Sequence, residues 1–302
     1  MLRRRGGGWG DRLLSIVLFS LDFLSIISVC FREVLTSLYS SNKKIVATTL
    51  SEKHYTSESS EKYINRWMDV TKSTMLFSRG VILVEGIAEA LILPQLAENV
   101  LQTYNATHEP DKQLSSTIDE MGISVINING VNFMHFMQLF GNFNGSSGPA
   151  IPIYCSGLTD RDPGKDIYPQ IDEIPTCNNP VYTYQGEINS NDWMRLFVSP
   201  LKTFEYDLAT YNPVVLAKTL KGLWPAETGS VYDRLTEIIT KNNKYDNPKD
   251  LSSDAQYIYE HIASPGIGKG IFAHELVSNI DKDFIVPDYI AKAILWACGG
   301  YS

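Results

Sequence analysis

A chain of 302 residues that is 44% hydrophobic and 20% charged has enough apolar surface to bury a full core. That excludes a wholly disordered protein and favours an ordinary soluble α/β class. The net charge of −8 is uneven: residues 1–80 carry 12 Lys+Arg against 7 Asp+Glu, while residues 81–302 carry 14 against 27. So acidic a second part excludes a bare basic surface for nucleic acid; a phosphate-bearing partner needs divalent cations or a second protein module to supply positive charge.

The first sixty residues read as an apolar segment followed by a polar boundary. MLRRRGGGWGDR precedes LLSIVLFSLDFLSIISVCF, and a basic start before about twenty apolar residues has the form of a membrane anchor across residues 13–31. Asp22 interrupts it at a cost of ~2.5–3.5 kcal/mol at a bilayer centre, so a cytoplasmic protein is the preferred expectation. The four cysteines, at 30, 155, 177 and 298, show no CxxC pair or metal-type spacing, as in a reduced compartment. From Ser40 to Ser60 the chain is polar around IVATTL and reads as a fraying boundary, after which Tyr63, Trp67, Met68 and Val70 resume a helical period.

The organising stretch is RGVILVEGIAEALILP, Arg79 to Pro94. Gly80 to Val84 is a charge-free run suited to a strand buried on both faces, and Gly86 permits a turn into a helix carrying Ala88, Ala90, Leu91, Leu93 and Leu96. Glu85 and Glu89 then stand at the C-terminal edge of a parallel strand, where open α/β sheets place their ligands. The alternative is that Glu85 caps the helix and Glu89 faces solvent.

A polar tract, TYNATHEPDKQLSSTID, separates this unit from a second strand over Gly122–Ile128 and a helix over Val131–Phe140. His135 on that helix reads as a core or rim histidine, since no partner lies at metal spacing. The third strand, Ile151–Leu158, ends in acids. Asp160 and Asp162 are one residue apart, so in extended backbone both carboxylates face one side as an oxygen clamp for a hard cation. The alternative is an Asp-rich turn closed by Pro163 and Gly164. VYTY, 181–184, is a fourth strand candidate, and Asn212 to Asn247 reads as surface helices and loops. Near the end, Gly268 and Gly270 flank Lys269 just before a helix, where an ammonium can reach an anion; an exposed helix-entry lysine is the alternative. PDYIAKAILWACGG closes the chain as a terminal helix.

A Val-Glu-Gly strand end, a second Glu four residues on, and a later strand ending in TDRD resemble the TOPRIM domain. The longer forms LVEGIAEALILP, RWMDVTKSTMLFSRG and GKGIFAHEL resemble the C-terminal half of the OLD (overcoming lysogenization defect) family of ATP-dependent endonucleases, over about Tyr63 to Leu276. The resemblance implies an α/β fold with a TOPRIM-type parallel central sheet flanked by helices and an α-rich C-terminal extension. It divides the chain into residues 1–60, a TOPRIM domain at 61–210, and a helical extension at 211–302 that carries the lysine motif.

It also implies phosphodiester hydrolysis of DNA by two Mg²⁺ (or Mn²⁺) ions held by Glu85, Glu89, Asp160 and Asp162. Glu205 in TFEYDLA matches a further acidic position of the family and is nominated as the fifth ligand, Asp207 with less force; an acid-rich first helical turn is the alternative. Lys269 would meet the scissile phosphate, so Lys269 and Glu85 are the catalytic candidates. In the family the nuclease follows an ABC-type ATPase, but this chain has no GxxxxGK[ST] loop, so ATP is not supported here. The implied partners are DNA, an ATPase module or subunit, and a second copy of the chain. A partner-dependent, non-catalytic subunit and a primase- or topoisomerase-like TOPRIM chemistry are the rival functions.

Overall fold

The computed structural model describes residues 16–18, 36–41, 44–49, 52–68 and 70–299. Three strands, β1 (Ile16–Leu18), β2 (Thr36–Ser41) and β3 (Lys44–Thr49), make a small antiparallel sheet in the order β1-β2-β3. Residues 45–49, the described part of IVATTL, therefore form half of a hairpin rather than a fraying boundary. Apart from Ile16–Leu18, the candidate anchor at 13–31 lies outside the described residues. No helix among the described residues is long and apolar enough to cross a membrane.

Helix α1 (Glu58–Trp67) opens on Ser57, whose hydroxyl accepts from the Ser60 N–H, and a short turn, α2 (Val70–Ser73), leads towards the main sheet. That sheet has β4 (Gly80–Val84), β5 (Ile123–Asn127), β6 (Tyr154–Thr159) and β7 (Met194–Val198), all parallel, in the order β5-β4-β6-β7. Central β4 is buried along its whole length, and its side chains alternate between two cores. Ile82 and Val84 join Leu158 and α3 (Ile87–Thr107) on one face; Val81 and Leu83 join Cys155, Leu196 and α4 (Phe133–Met137) on the other. Such two-sided burial is what a charge-free GVILV run encodes.

Four sequence expectations need correction. The helix after β4 runs to Thr107, taking in the first residues of the tract expected to separate it from the second strand. The helix expected over Val131–Phe140 shrinks to Phe133–Met137. VYTY lies in a 3₁₀ turn, Pro180–Tyr184, followed by α5 (Gln185–Ile188), and the fourth strand is Met194–Val198. The region 212–247 is not a surface layer: α7 (Pro213–Leu223) and α8 (Ser230–Lys241) bury Leu216, Ala217, Leu220, Leu235 and Ile238 in the same core as α3.

The remaining helices are α6 (Phe204–Tyr211), α9 (Pro248–Ile262), α10 (Gly268–Asn279) and α11 (Asp288–Ala297). Helix α10 packs along α3, and α11 crosses the sheet against β4, β6 and β7. The α11 end approaches so closely that a Cβ on Gly80 would stand 2.0 Å from the Ala297 carbonyl oxygen, which makes glycine obligatory at that strand entry.

Candidate active site

The C-terminal edge of the sheet gathers acids from three crossovers. Glu85 is the first residue past β4, and Gly86 N-caps α3. Among the described residues, the hydrogen bonds to the Glu85 carboxylate all fall on one oxygen, Oε1: the Thr159 hydroxyl donates to it, as do the Asp160 N–H at 3.0 Å and Asn179 Nδ2 at 3.4 Å. Asn179 is buried, and its amide also donates to Thr159 Oγ1 at 2.8 Å and to the Asp160 carbonyl at 2.9 Å. One amide thus ties the end of β6 to the end of β4 and fixes which way the Glu85 carboxylate turns. Neither Thr159 nor Asn179 was singled out in the sequence. Thr159 adjoins the acidic motif, but nothing in the CNNP context marks Asn179 as more than a turn residue.

Glu89 sits in the first turn of α3 and is 6% exposed, which rules out the solvent-facing reading. A Cβ at Gly86 would approach its Oε2 to 3.1 Å, so the carboxylate lies back over the helix cap. Asp160, just beyond β6, accepts the Phe204 N–H on Oδ1 at 2.8 Å. That bond couples the β6 edge to the start of α6. The next residue there, Glu205, is 2% exposed; its Oε2 accepts from Thr203 at 3.3 Å and its Oε1 lies 2.8 Å from Lys269 Nζ. The lysine approach has the distance of an ion pair but not the direction of a hydrogen bond, which leaves Glu205 Oε1 without a directed donor. Lys269 itself lies in the first turn of α10 with its side chain about half exposed.

Glu89, Glu205 and Lys269 therefore each occupy the first turn of a helix, where backbone N–H groups favour negative charge. The two acids suit that field, whereas the lysine is held against it by acids. Burial disfavours its ammonium, but Glu205, then Asp160 and Glu89, outweigh that and hold its pKa above the ordinary lysine range. The acids are pushed the other way. Burial, then the charge of Glu205, raises Glu89 to about 7, and burial followed by Glu85, Glu205 and Glu89 raises Asp160 well above its usual value. Glu85 is raised as well, by burial first and the Asp162 charge among the rest, against the bonds from Thr159 and Asp160.

Two acids stand apart. The chain does not stay extended after β6: Asp162 adopts φ +52° and is exposed, so the same-side argument for the Asp160 and Asp162 carboxylates fails and Asp162 occupies the rim. Asp207 is fully buried one turn into α6; its Oδ1 accepts the Lys202 N–H at 3.1 Å while Oδ2 has no partner. Burial raises its pKa to about 8. His135 donates to or accepts from Ser60 Oγ at 3.0 Å and stacks near Tyr63, as a rim histidine does.

A hard divalent cation suits this donor set: it is all oxygen, drawn from several elements, and its mutual repulsion is relieved only in part by one lysine. Among the described residues, no three His, Cys, Asp or Glu side chains converge closely enough to enclose an ion as they stand.

Residues 76–162 match the family model described as "Overcoming lysogenization defect protein-like, TOPRIM domain". This segment is an OLD-like TOPRIM domain. Domains of this kind generally bind divalent metal ions, in nuclease-type or primase-like proteins. Two solved structures are similar across the wider chain. The C-terminal region of the Xanthomonas campestris pv. campestris OLD protein shares 24% identity, covering 74% of this chain and 94% of that one, with a TM-score of 0.48. The C-terminal region of the Burkholderia pseudomallei OLD protein shares 22% identity, covering 73% and 97%, with a TM-score of 0.47. No curated protein matches the chain.

Proposed function

We propose that the protein is a metal-dependent endonuclease that hydrolyses phosphodiester bonds in DNA, acting as the nuclease part of an OLD-type system. The observation that carries this reading is the meeting of Glu85, Glu89, Asp160 and Glu205 with Lys269 at the C-terminal edge of a parallel sheet, in a chain with an OLD-like TOPRIM domain. Bound Mg²⁺ or Mn²⁺ would lower the pKa of a water and neutralise charge on the scissile phosphate.

The chain's own residues have separable tasks in this reading. Glu85, Glu89, Asp160 and Glu205 would hold the ions, with Asp162 as a ligand at the rim. Thr159 and Asn179 keep Glu85 Oε1 occupied, so only its other oxygen turns freely towards an ion. Lys269 would leave Glu205 once a cation neutralises that acid, and its ammonium, with the N-terminal N–H groups of α10, would meet the phosphate oxygens. The acidic balance is then expected, since DNA approaches only after cations are bound. Because α7 to α11 share the core with β4 and α3, the extension at 211–302 works as one unit with the TOPRIM domain at 61–210.

Supercoiled plasmid incubated with the purified protein and Mn²⁺ or Mg²⁺ should be nicked or linearised, and Glu85→Ala and Asp160→Ala should abolish this. Cleavage that survives both substitutions, or that needs no divalent ion, rejects the reading. Cleavage seen only on adding an ATPase subunit favours the partner-dependent form of the same function.

A further inference from the structure

Lys202 lies between β7 and α6 and is 4% exposed, although no carboxylate among the described residues stands within ion-pair distance of it and the charges of Asp162 and Asp166 act on it only from further off. Its ammonium instead donates to three main-chain carbonyls of one loop: Gly164, Lys165 at 3.1 Å and Ile167 at 2.9 Å. An ammonium has three N–H donors, so this set uses all of them. The rings of Tyr168 and Tyr259 stand 4.6 Å and 5.9 Å from the nitrogen and close the remaining sides with their negative faces.

The main chain of the same residue holds the other end of the loop. The Lys202 carbonyl accepts from the N–H groups of Arg161 at 3.0 Å and Asp162 at 3.2 Å, and the Lys202 N–H is anchored on buried Asp207. Two residues further, the Phe204 N–H holds Asp160. One residue therefore clamps both ends of the segment 161–167, which includes Asp162 in its left-handed conformation and closes over Pro163 and Gly164. Without a cation, three carbonyls pointing at one spot would repel each other; the Gly164 carbonyl would keep only the Ile167 N–H at 3.4 Å, those of Lys165 and Ile167 would lose the donor that Lys202 supplies, and the loop would open to water.

We propose that Lys202 is a positioning residue for the acidic centre: its ammonium is a built-in structural cation that shapes the loop presenting Asp160 and Asp162. It does not itself touch substrate, because every N–H is already committed. The role rests on the metal-dependent reading above, and metal binding is measured separately from cleavage so that the two can fail independently.

Lys202→Ala removes a propylammonium-sized piece, which defines a rescue experiment. Calorimetry with Mn²⁺ should show affinity lowered by about 10- to 100-fold, as for loss of groups that orient ligands. Added propylammonium should restore most of that affinity, and plasmid cleavage with it, whereas tetramethylammonium, which has the charge but no N–H, and NaCl at equal concentration should not. Lys202→Met, which keeps the apolar stem, should fold and show the same loss if the alanine variant does not fold. Mn²⁺ affinity within twofold of the unmodified protein in either folded variant overturns the proposal, as does equal rescue by tetramethylammonium. A protein that binds Mn²⁺ in this Lys202-dependent way but never cleaves nucleic acid leaves the positioning role standing and removes the nuclease reading.

Discussion

Lys269 Nζ stands 2.8 Å from Glu205 Oε1, an ion pair that joins the first turn of α10 to the first turn of α6. Both ends belong to the proposed centre, where the pair would hold the lysine until Glu205 takes up a metal ion. An ammonium cannot ligate a divalent cation, so its loss should separate cleavage from metal binding. Lys269→Ala should slow plasmid cleavage by on the order of 10²–10³ while Mn²⁺ affinity at pH 8 stays within a few fold. Lys269→Arg should recover part of the rate. Unchanged cleavage in Lys269→Ala removes the lysine from the mechanism.

The raised pKa of Glu89, about 7, predicts a pH-dependent stability with a definite sign. In the unfolded chain the group titrates near 4.5, so between pH 4.5 and 7 the folded state binds the extra proton. Stability of the metal-free protein should therefore fall as pH rises through that window; the Glu89 contribution ends above 7, while Asp207, raised to about 8, and Asp160 extend the fall. For nearly buried Glu89 the effect is on the order of 3 kcal/mol. In the proposed site Mn²⁺ would take the place of the proton, so its stabilising effect should grow over the same range. Melting curves at pH 5, 6, 7 and 8, with and without Mn²⁺, measure both slopes, and Glu89→Gln should make the metal-free one shallower, the remainder coming from the other raised carboxyls. A metal-free melting temperature that rises from pH 5 to 7 contradicts the assignment.

Asn179 offers a test of orientation without charge. Its amide reaches Glu85, Thr159 and the Asp160 carbonyl, so Asn179→Ala should leave the buried Thr159 hydroxyl and its two partly buried neighbours short of a donor and cost roughly 1–3 kcal/mol of stability. Mn²⁺ affinity should fall about 10- to 100-fold because Glu85 loses its fixed orientation. A loss of stability with undiminished affinity would show that Asn179 only holds the fold.

These residues also mark how far the sequence could be read. GVILV announces a central strand because both of its faces are buried, and the acids after it announce a sheet-edge site because that edge is where open sheets bind ligands. The fourth strand was harder. Met194–Val198 alternates buried and partly exposed residues over five positions after a polar turn, whereas VYTY looks more strand-like and yet turns behind Pro180. Asp162 was placed by assuming extended backbone, but the Lys202 carbonyl that curls the chain lies forty residues further on. Separation in sequence likewise hid Asn179 and Lys202: each acts on groups brought near only by the fold, and neither is a residue type that spacing alone marks as functional.

The boundary before the main domain supplies the last test. A sequence-based limit at residue 60 cuts through contacts that the structure shows closer to residue 52. Lys53 is fully buried and donates to the Gly141 carbonyl at 2.9 Å and to Asn142 Oδ1, and His54 pairs with Ser147 through two main-chain bonds of 2.9 and 3.0 Å. Thr56 accepts from Gln138, and Ser57 caps α1. At about 1 kcal/mol net for a typical bond, losing these bonds costs roughly 6 kcal/mol, or a melting temperature lower by about 10–20 °C. A chain beginning at Glu52 should keep the melting temperature and Mn²⁺ affinity of the full chain, while one beginning at Ser60 should melt lower by that margin and still bind Mn²⁺, because none of the acids is touched. Equal melting of the two shortened chains would mean that the Lys53 and His54 contacts contribute nothing to the fold; loss of Mn²⁺ binding in the folded shorter chain would mean that the N-terminal strap shapes the acidic edge as well.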